Sequence, residues 1–142
     1  MGAPVMAFTR ISDEPIRLHC AVQEPDVVVV LDNTLLKAVA VTAGITKNDA
    51  IFIINSTDDP AKVRSDLRIE KGQVWTVPAT EIALRILGAP ITNTALLGVV
   101  AKATNIVSLD GIEKTVKARF KPDIAEKNFA VIKEAYKEAK VQ

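Results

Sequence analysis

Polar side chains that could bind a ligand follow three apolar runs of the chain. The runs "PDVVVVLDNT", "AIFIINST" and "QVWTVPAT" end in Asp32-Asn33-Thr34, Asn55-Ser56-Thr57 and Thr80-Glu81. If the runs are parallel strands lying side by side, these residues form one polar rim at the carboxyl ends, where open α/β sheets bind ligands. The simpler interpretation is that they cap the helices that follow, because loops at strand ends require these residue types anyway.

A second candidate site is the stretch "APITNTALLG", which places Asn93 and Thr94 at the start of an apolar helix. Free N–H groups and the positive end of a helix can bind a phosphate or a carboxylate. The alternative is purely structural. Thr92 or Asn93 would cap the helix, and small residues would allow close helix packing, namely Ala95, Gly98, Ala101 and Ala103. The residues alone favour this structural alternative.

Several kinds of catalytic or metal site are excluded by residue content. His19 and Cys20 are adjacent on a predicted strand, so they would point to opposite faces and not form a catalytic pair. There is no second histidine, and one cysteine cannot supply an internal disulfide or a complete iron–sulfur ligand set. The chain has no GxGxxG, GxxxxGK[ST], GxSxG or CxxC motif. A small-molecule enzyme is therefore disfavoured, because nothing pairs a nucleophile with a base.

Charge and length restrict the class of protein further. The 142 residues fit one domain, residues 1–142, and include 18 basic and 17 acidic side chains for a net charge of +1. A nucleic-acid surface would need a basic excess on one face. No apolar run approaches the roughly 20 residues of a membrane span, and Arg10, Asp13 and Glu14 interrupt any signal peptide. We expect a cytoplasmic protein that binds neither nucleic acid nor membrane.

The pattern of strand signals predicts a mixed, largely parallel sheet. The segments "PVMAFTRI" and "PIRLHCAV", separated by "SDEP", predict an antiparallel hairpin. The run "VVVV" shows no alternation, which is typical of a parallel strand buried on both faces. "IFIIN" and "VWTV" are the next two strands, and Trp75 is expected in the core.

Helix signals follow each strand and then dominate the end of the chain. "DDPAKVRSDL" offers Asp59 as cap with Pro60 at the first helical position, and "EIALRILG" is closed by Gly88. Three further helices are "ITNTALLGVVAKATN", "SLDGIEKTVKARF" with a Ser108 cap, and the amphipathic "IAEKNFAVIKEAYKEAKV". The fold class is therefore a layered α/β domain, with a mixed, largely parallel sheet flanked by helices and a C-terminal helical segment.

Four stretches, taken in order, resemble one known family. They are "GAPVMAFTRISDEPIR", "EPDVVVVLDNTLL", "IINS" and "PITNTALLGVVAKATNIVSLDGIEK". Together with the final "IAEKN" helix, they are similar to the gamma subunit of the 2-oxoacid:ferredoxin oxidoreductases, which is an internal domain in single-chain forms. The similarity is strongest to the pyruvate and 2-oxoisovalerate enzymes of the archaeal type.

The resemblance implies a role inside a larger enzyme. The family converts a 2-oxoacid, coenzyme A and oxidised ferredoxin into an acyl-coenzyme A, carbon dioxide and reduced ferredoxin. Thiamine diphosphate lies between the alpha and beta subunits, and the iron–sulfur clusters lie in the beta and delta parts. This chain would be a non-catalytic gamma subunit that scaffolds the assembly with its alpha, beta and delta partners near the coenzyme A side.

One departure from the family concerns the start of the chain. Family members carry a preceding segment with a glycine-rich "GRGGQG" loop and a stretch ending in "ERRGAPV", whereas Met1-Gly2 stands here at the end of that stretch. We expect that a sheet lacking this segment exposes an edge and an apolar face, which favours self-association.

Individual positions carry over from the family motifs as ligand or interface candidates. The family's "GAPV" corresponds to Gly2, Ala3, Pro4 and Val5, which should lie near the subunit interface or the coenzyme A side. Asp32 matches the end of the "VVVVLD" strand, where we expect a turn and interface residue.

The family's "NTxxLG" motif corresponds to Asn93, Thr94 and Gly98. This match strengthens the expectation that Asn93 is a ligand or interface residue. The alternative function is a free-standing binding module for a nucleotide-like ligand at the strand-end rim.

Overall fold

The computed structural model describes residues 3–142 as a four-stranded sheet with helices on both faces. The strands are β1 (Val27–Val30), β2 (Ile51–Asn55), β3 (Gln73–Val77) and β4 (Lys140–Val141). The helices are α1 (Pro60–Asp66), α2 (Ala79–Leu87), α3 (Thr92–Thr104), α4 (Leu109–Arg119) and α5 (Pro122–Glu138), with a short 3₁₀ helix at Asn33–Lys37.

The sheet is mixed and largely parallel, as predicted. Its strand order is β1-β2-β3-β4. Val27 lies opposite Ile51, and Ile51 lies opposite Gln73, so the three parallel strands start level, and β1 ends one residue before β2 and β3. Only β4 is antiparallel, and it places Val141 opposite Trp75. This even register brings the carboxyl ends of β1, β2 and β3 to the same edge.

Successive residues of β2 and β3 bury opposite faces of the sheet, as extended backbone requires. One face meets α2, α3 and α5 in a cluster that contains Ile53, Trp75 and Val77. The other face, with Phe52 and Ile54, packs beside α1 and the 3₁₀ helix. The prediction that Trp75 belongs to the core is confirmed.

Local signals explain where three of the helices start or stop. The Asp59 carboxylate accepts a hydrogen bond from the N–H of Ala61 at 3.0 Å, with Pro60 at the first helical position of α1. The hydroxyl oxygen of Ser108 accepts from Gly111 N–H at 3.0 Å and so caps α4. Gly88 ends α2 with a φ of 73°, a conformation that favours glycine. These three predictions are confirmed.

The small residues of α3 allow close contact with α5. A Cβ built on Gly98 would lie 2.2 Å from the carbonyl oxygen of Ile132, so only glycine fits at that contact. Ala95 and Ala101 on the same helix are also buried. The packing interpretation of the small residues is therefore confirmed.

The predicted N-terminal hairpin is wrong. Residues 3–25, here named the N-terminal arm, contain no strand, and none of them is buried. The turn survives as a bend in which Ser12 Oγ accepts from Glu14 N–H, and the Arg10 guanidinium donates to the carbonyl oxygen of Ala21. A two-stranded hairpin by itself is at best marginally stable in water. No other element covers residues 3–25, since none of them is buried. Because residues 19 and 20 do not lie in a strand, the argument that His19 and Cys20 point to opposite faces no longer applies.

Strand β1 is less buried than its sequence predicts. It forms a parallel pair with β2, but it lies at the edge of the sheet, and Val29 is 37% exposed. The valine run therefore correctly predicts a parallel strand, but its prediction that both faces of β1 are buried is wrong.

Two helix boundaries also differ from the sequence predictions. Helix α3 begins at Thr92 after Ile91, and neither Thr92 nor Asn93 caps it through a side chain. The last helix stops at Glu138, and the chain then pairs with β3 as β4 instead of continuing as helix. The predicted apolar stripe of that helix is confirmed, with Ala125 and Ile132 buried.

Candidate functional site

The strand-end residues meet in one cleft at the carboxyl edge of the sheet. It has a volume of about 580 Å³ and is lined by Leu31, Asp32, Asn33, Asn55, Ser56, Thr57, Pro78, Thr80, Glu81, Pro90 and Thr92. The level register of β1, β2 and β3 brings these side chains together, so the predicted polar rim exists. Thr34 is the one predicted rim residue that does not line the cleft.

Asn55 is the structural centre of this cleft. Its side-chain amide donates to the carbonyl oxygen of Leu31 and to Thr80 Oγ1, both at 2.8 Å, and its Oδ1 accepts from Thr80 N–H at 3.3 Å. These contacts join the ends of β1, β2 and α2. Asn55 is 7% exposed, so its hydrogen-bonding capacity is committed to the fold.

Asp32 and Ser56 use their side chains for local turns. Asp32 accepts from the N–H of Thr34 at 2.9 Å and from its hydroxyl at 2.8 Å. These two hydrogen bonds, first the backbone one and then the hydroxyl one, hold the pKa of Asp32 below its ordinary value, so it is ionised at neutral pH. Ser56 Oγ accepts from Asp58 N–H at 3.1 Å. The cap interpretation of the rim is confirmed for Asp32.

The charge of the cleft opposes anionic ligands. Two carboxylates, Asp32 and Glu81, lie among its lining residues, and none of the described lining residues is lysine, arginine or histidine. Phosphate groups are normally bound by cationic side chains together with N–H donors. The cleft therefore offers neutral hydrogen-bonding groups and negative charge, but no side-chain counter-ion for a phosphate.

The second candidate stretch is only partly at this cleft. Thr92 lines it, whereas Asn93 is exposed, Thr94 is buried, and neither is among the lining residues. Gly98 lies one turn further on, against α5. The structure thus does not bring Asn93, Thr94 and Gly98 together with the rim.

Of the "GAPV" residues, Ala3, Pro4 and Val5 lie on the N-terminal arm and are not among the residues that line the cleft. Gly2 falls outside the described residues. Ala3, Pro4 and Val5 are exposed, and Val5 is 86% exposed.

Sequence reasoning did not predict that Leu31, Pro78 and Pro90 line the cleft. Both prolines sit in short segments before a helix, which is a signal that could have placed them beside the strand ends.

The single cysteine of this chain cannot by itself hold an iron–sulfur cluster, a group that the resemblance assigns to the beta and delta parts. Cys20, the single cysteine, is exposed and can offer one thiolate, whereas cysteine-ligated clusters use four. Among residues 3–142, no three histidine, cysteine or acidic side chains come together as a metal-binding group.

An open sheet, flanking helices and a cleft at the strand ends define an α/β domain with a polar site at the carboxyl edge of its sheet. The family model of pyruvate ferredoxin/flavodoxin oxidoreductase matches residues 1–138. The chain belongs to that family. The resemblance stated from the sequence motifs is thereby confirmed.

Several proteins of known name are similar over nearly the whole chain. A "Pyruvate/ketoisovalerate oxidoreductases common subunit gamma" of Pyrococcus furiosus is 49% identical over 140 residues, which cover 99% of this chain and 75% of that protein. The "Pyruvate synthase subunit PorC" of Methanocaldococcus jannaschii is 44% identical, with 96% of this chain and 72% of that protein covered.

A crystal structure of the pyruvate oxidoreductase subunit PORC from Thermotoga maritima has the same fold. Its TM-score is 0.78 at 36% sequence identity, and the match covers 85% of this chain and 67% of that one. The predicted α/β fold class is confirmed by this similarity. Within residues 3–142, none of the helices is both long and apolar enough to cross a bilayer.

Proposed function

We propose that this chain is the non-catalytic gamma subunit of a 2-oxoacid:ferredoxin oxidoreductase that acts on pyruvate or 2-oxoisovalerate. The observation that carries the proposal is the 49% identity over 140 residues to a relative named as a common gamma subunit of two such enzymes. The complex would oxidise a 2-oxoacid with coenzyme A to an acyl-coenzyme A and carbon dioxide. Two electrons would pass to ferredoxin.

The residues of the chain support a structural role in that complex. Asn55, at the centre of the cleft, is engaged in holding strand ends through its hydrogen bonds to Leu31 and Thr80. Thiamine diphosphate and the iron–sulfur clusters would be held by the alpha, beta and delta subunits. The whole chain, residues 1–142, would act as one gamma-type domain in the cytoplasm.

The same site argues against the alternative of a free-standing module for a nucleotide-like ligand. Asp32 is ionised, Glu81 is the other carboxylate of the cleft, and the described lining residues include no cation to offset a phosphate. We propose that the coenzyme A side of the complex is approached through other surfaces of this chain, with Ala3, Pro4, Val5 and Asn93 as the interface candidates.

Reconstitution tests the proposal. The purified chain is combined with the alpha, beta and delta subunits, and coenzyme A-dependent reduction of ferredoxin is measured with pyruvate and with 2-oxoisovalerate. We expect no turnover by the chain alone, full turnover by the complete set, and loss of assembly when this chain is omitted. Turnover by the chain alone, or an unchanged rate without it, contradicts the proposal.

Calorimetry with coenzyme A and adenine nucleotides tests the alternative. We expect no binding to the isolated chain at the cleft. Micromolar binding that is lost in Asp32→Ala, but retained in Asn93→Ala, would instead support the free-standing module.

A further inference from the structure

The last strand of the sheet, β4, is held in place mainly through its backbone. The N–H of Val74 donates to the carbonyl oxygen of Gln142 at 2.9 Å, and the N–H of Gln142 donates to the carbonyl oxygen of Val74 at 3.0 Å. Lys140, Val141 and Gln142 are all exposed, and Val141 is 47% exposed. Burial of its side chains therefore contributes little to the position of β4.

Two cationic side chains hold the same segment from helices on opposite faces of the sheet. Arg64 of α1 donates through Nη2 to the carbonyl oxygen of Gln142 at 3.0 Å and through Nε to its Oε1 at 3.2 Å. Lys102 of α3 donates to the carbonyl oxygen of Ala139 at 3.3 Å. Residues 139–142, here named the C-terminal strap, are thus held at both ends by hydrogen bonds from charged donors.

Both cations are themselves fixed by other parts of the fold. The Nζ of Lys102 lies 5.9 Å from the centre of the Trp75 ring and 5.4 Å from the centre of the Tyr136 ring, which attract a cation through their π faces. The guanidinium of Arg64 also donates to the carbonyl oxygen of Gly72 at 2.6 Å. The two donors are therefore already in position when the strap binds.

The strand that the strap covers has the properties of an edge that recruits other strands. β3 is five residues long, contains no charged residue and no proline, and pairs with β2 on its other side. Long, uncharged, apolar edges of this kind are prone to pair with another chain. In contrast, β4 is two residues long and includes Lys140. Very short strands and lysine are the means by which natural sheets make an edge unfavourable for pairing.

We propose that the C-terminal strap is a guard that keeps the edge of β3 from pairing with the β3 of a second copy of this chain. The antiparallel pairing of β4 shows that this edge accepts an antiparallel strand. A twofold axis beside β3 would place the second β3 antiparallel, with the same donors and acceptors on both sides. Five uncharged residues would then replace two, so the ladder could be longer than the one that the strap forms.

Removal of residues 140–142 tests the proposal on the isolated chain. Ala139 is kept, because it is 8% exposed and belongs to the core. We expect the shortened chain to dimerise with a dissociation constant at least about tenfold lower than that of the full chain, as measured by sedimentation equilibrium. Association through any other surface is present in both chains, so the comparison isolates the edge of β3.

Two proline variants of the full chain form a matched pair. Val74 and Gln142 exchange both of their hydrogen bonds, so the neighbouring pair of Trp75 and Val141 is not hydrogen-bonded, and the N–H of Val141 points away from β3. Gln142→Pro removes a hydrogen bond to β3, whereas Val141→Pro removes none. The first should lower the dissociation constant of the dimer at least about fivefold, and the second should change it less than about threefold.

Amide hydrogen exchange identifies the surface through which the shortened chain associates. The N–H of Val74 has lost its partner in that chain, so its protection should fall at low protein concentration and return as the dimer forms. Val99, which is fully buried in α3, should remain protected at every concentration and serves as the internal control.

Each remaining outcome overturns the proposal. The first is a shortened chain that keeps its fold and associates no more than the full chain. The second is a dimer in which the Val74 amide stays unprotected, because association then uses another surface. Equal effects of the two prolines contradict a strap held through the Gln142 N–H. If the shortened chain and Gln142→Pro both lose cooperative melting, the strap is part of the core and not a guard. None of these results depends on whether the chain assembles with other oxidoreductase subunits.

Discussion

Strand β2 and the N-terminal arm are both apolar, yet their environments are opposite. Phe52, Ile53 and Ile54 are at most 1% exposed, whereas Val5 and Met6 are 86% and 66% exposed. The difference lies in neighbours and not in composition. β2 has a strand on each side and helices on both faces, while the arm has neither. Apolar residues therefore show where burial is possible, and the rest of the chain decides whether it occurs.

The largest contrast between core and arm is expected from truncating one isoleucine in each. Ile132 in α5 is fully buried, so Ile132→Ala should lower the free energy of unfolding by about 4 kcal/mol through lost burial and a cavity. Ile11→Ala in the arm should change it by less than about 0.5 kcal/mol. Urea denaturation measures both, and similar losses would contradict the division into core and arm.

A methyl group added to α3 is expected to have the next largest effect. Gly98→Ala places its Cβ against the Ile132 carbonyl, so α3 and α5 must separate, at a cost of about 3 kcal/mol. The control is Gly111→Ala in α4, whose Cβ would meet only Ser108 Oγ at 3.1 Å and which gains helix propensity. Thermal melts should show a large decrease for the first and little change for the second. Equal melting temperatures would mean that the helices adjust freely.

An intermediate loss of unfolding free energy is expected from a substitution in the cleft. Asn55→Ala removes the hydrogen bonds to Leu31 and Thr80 and should cost about 2 kcal/mol of unfolding free energy. Asn33→Ala, at an exposed position of the same cleft, should cost less than about 0.5 kcal/mol. If denaturant midpoints fall equally in the two variants, Asn55 does not hold the strand ends together.

Substitutions of the adjacent residues Asp59 and Asp58 compare the stability contributed by a helix cap with that contributed by a surface ion pair. Asp59→Ala removes the cap of α1 and should cost about 1 kcal/mol. Asp58→Ala removes only an exposed pair with Lys62 at 2.7 Å, worth less than about 0.5 kcal/mol. The reverse order of urea midpoints would contradict the capping role.

The smallest effect is expected from acid titration of Asp32. Its lowered pKa in the folded state means that it stabilises the fold above the ordinary aspartate pKa of about 3.9. That contribution is lost as the pH falls through the lower folded pKa. Asp32→Asn should therefore be slightly less stable than wild type at pH 7, and the difference should shrink as the pH falls below the ordinary aspartate pKa. A difference that does not change with pH would show that the charge is not the cause.

The parts of the fold that were predictable depend on local residue chemistry. Asp59, Ser108 and Gly88 each fix a helix end through a hydrogen bond or a backbone angle close in sequence. The valine run of β1 indicated a parallel strand for the same reason. Its exposure was not predictable, because it depends on β1 lying at the sheet edge, which no local signal records.

The features that the sequence did not predict depend on contacts between segments that are distant in sequence. β4 looks like the end of a helix in sequence, and it becomes a strand only because β3 presents an edge to it. In the cleft, the gathering of strand ends was predicted, but the role of Asn55 was not. Its bond to Leu31 exists only once β1 and β2 are aligned in parallel, 24 residues apart in sequence. The N-terminal arm does not form the predicted hairpin, because none of residues 3–25 is buried and an uncovered two-stranded hairpin is at best marginally stable.

Strand β4 also determines when the sheet is completed during synthesis of the chain. The guanidinium of Arg64 donates to the carbonyl oxygens of Gly72 and Gln142, and its contact with Gln142 spans 78 residues of sequence. During synthesis on the ribosome, α1 and β3 emerge long before the segment that completes the sheet. The edge of β3 is therefore open throughout translation of α2 to α5, and a nascent chain stalled in that interval presents a sheet edge to chaperones or to neighbouring nascent chains.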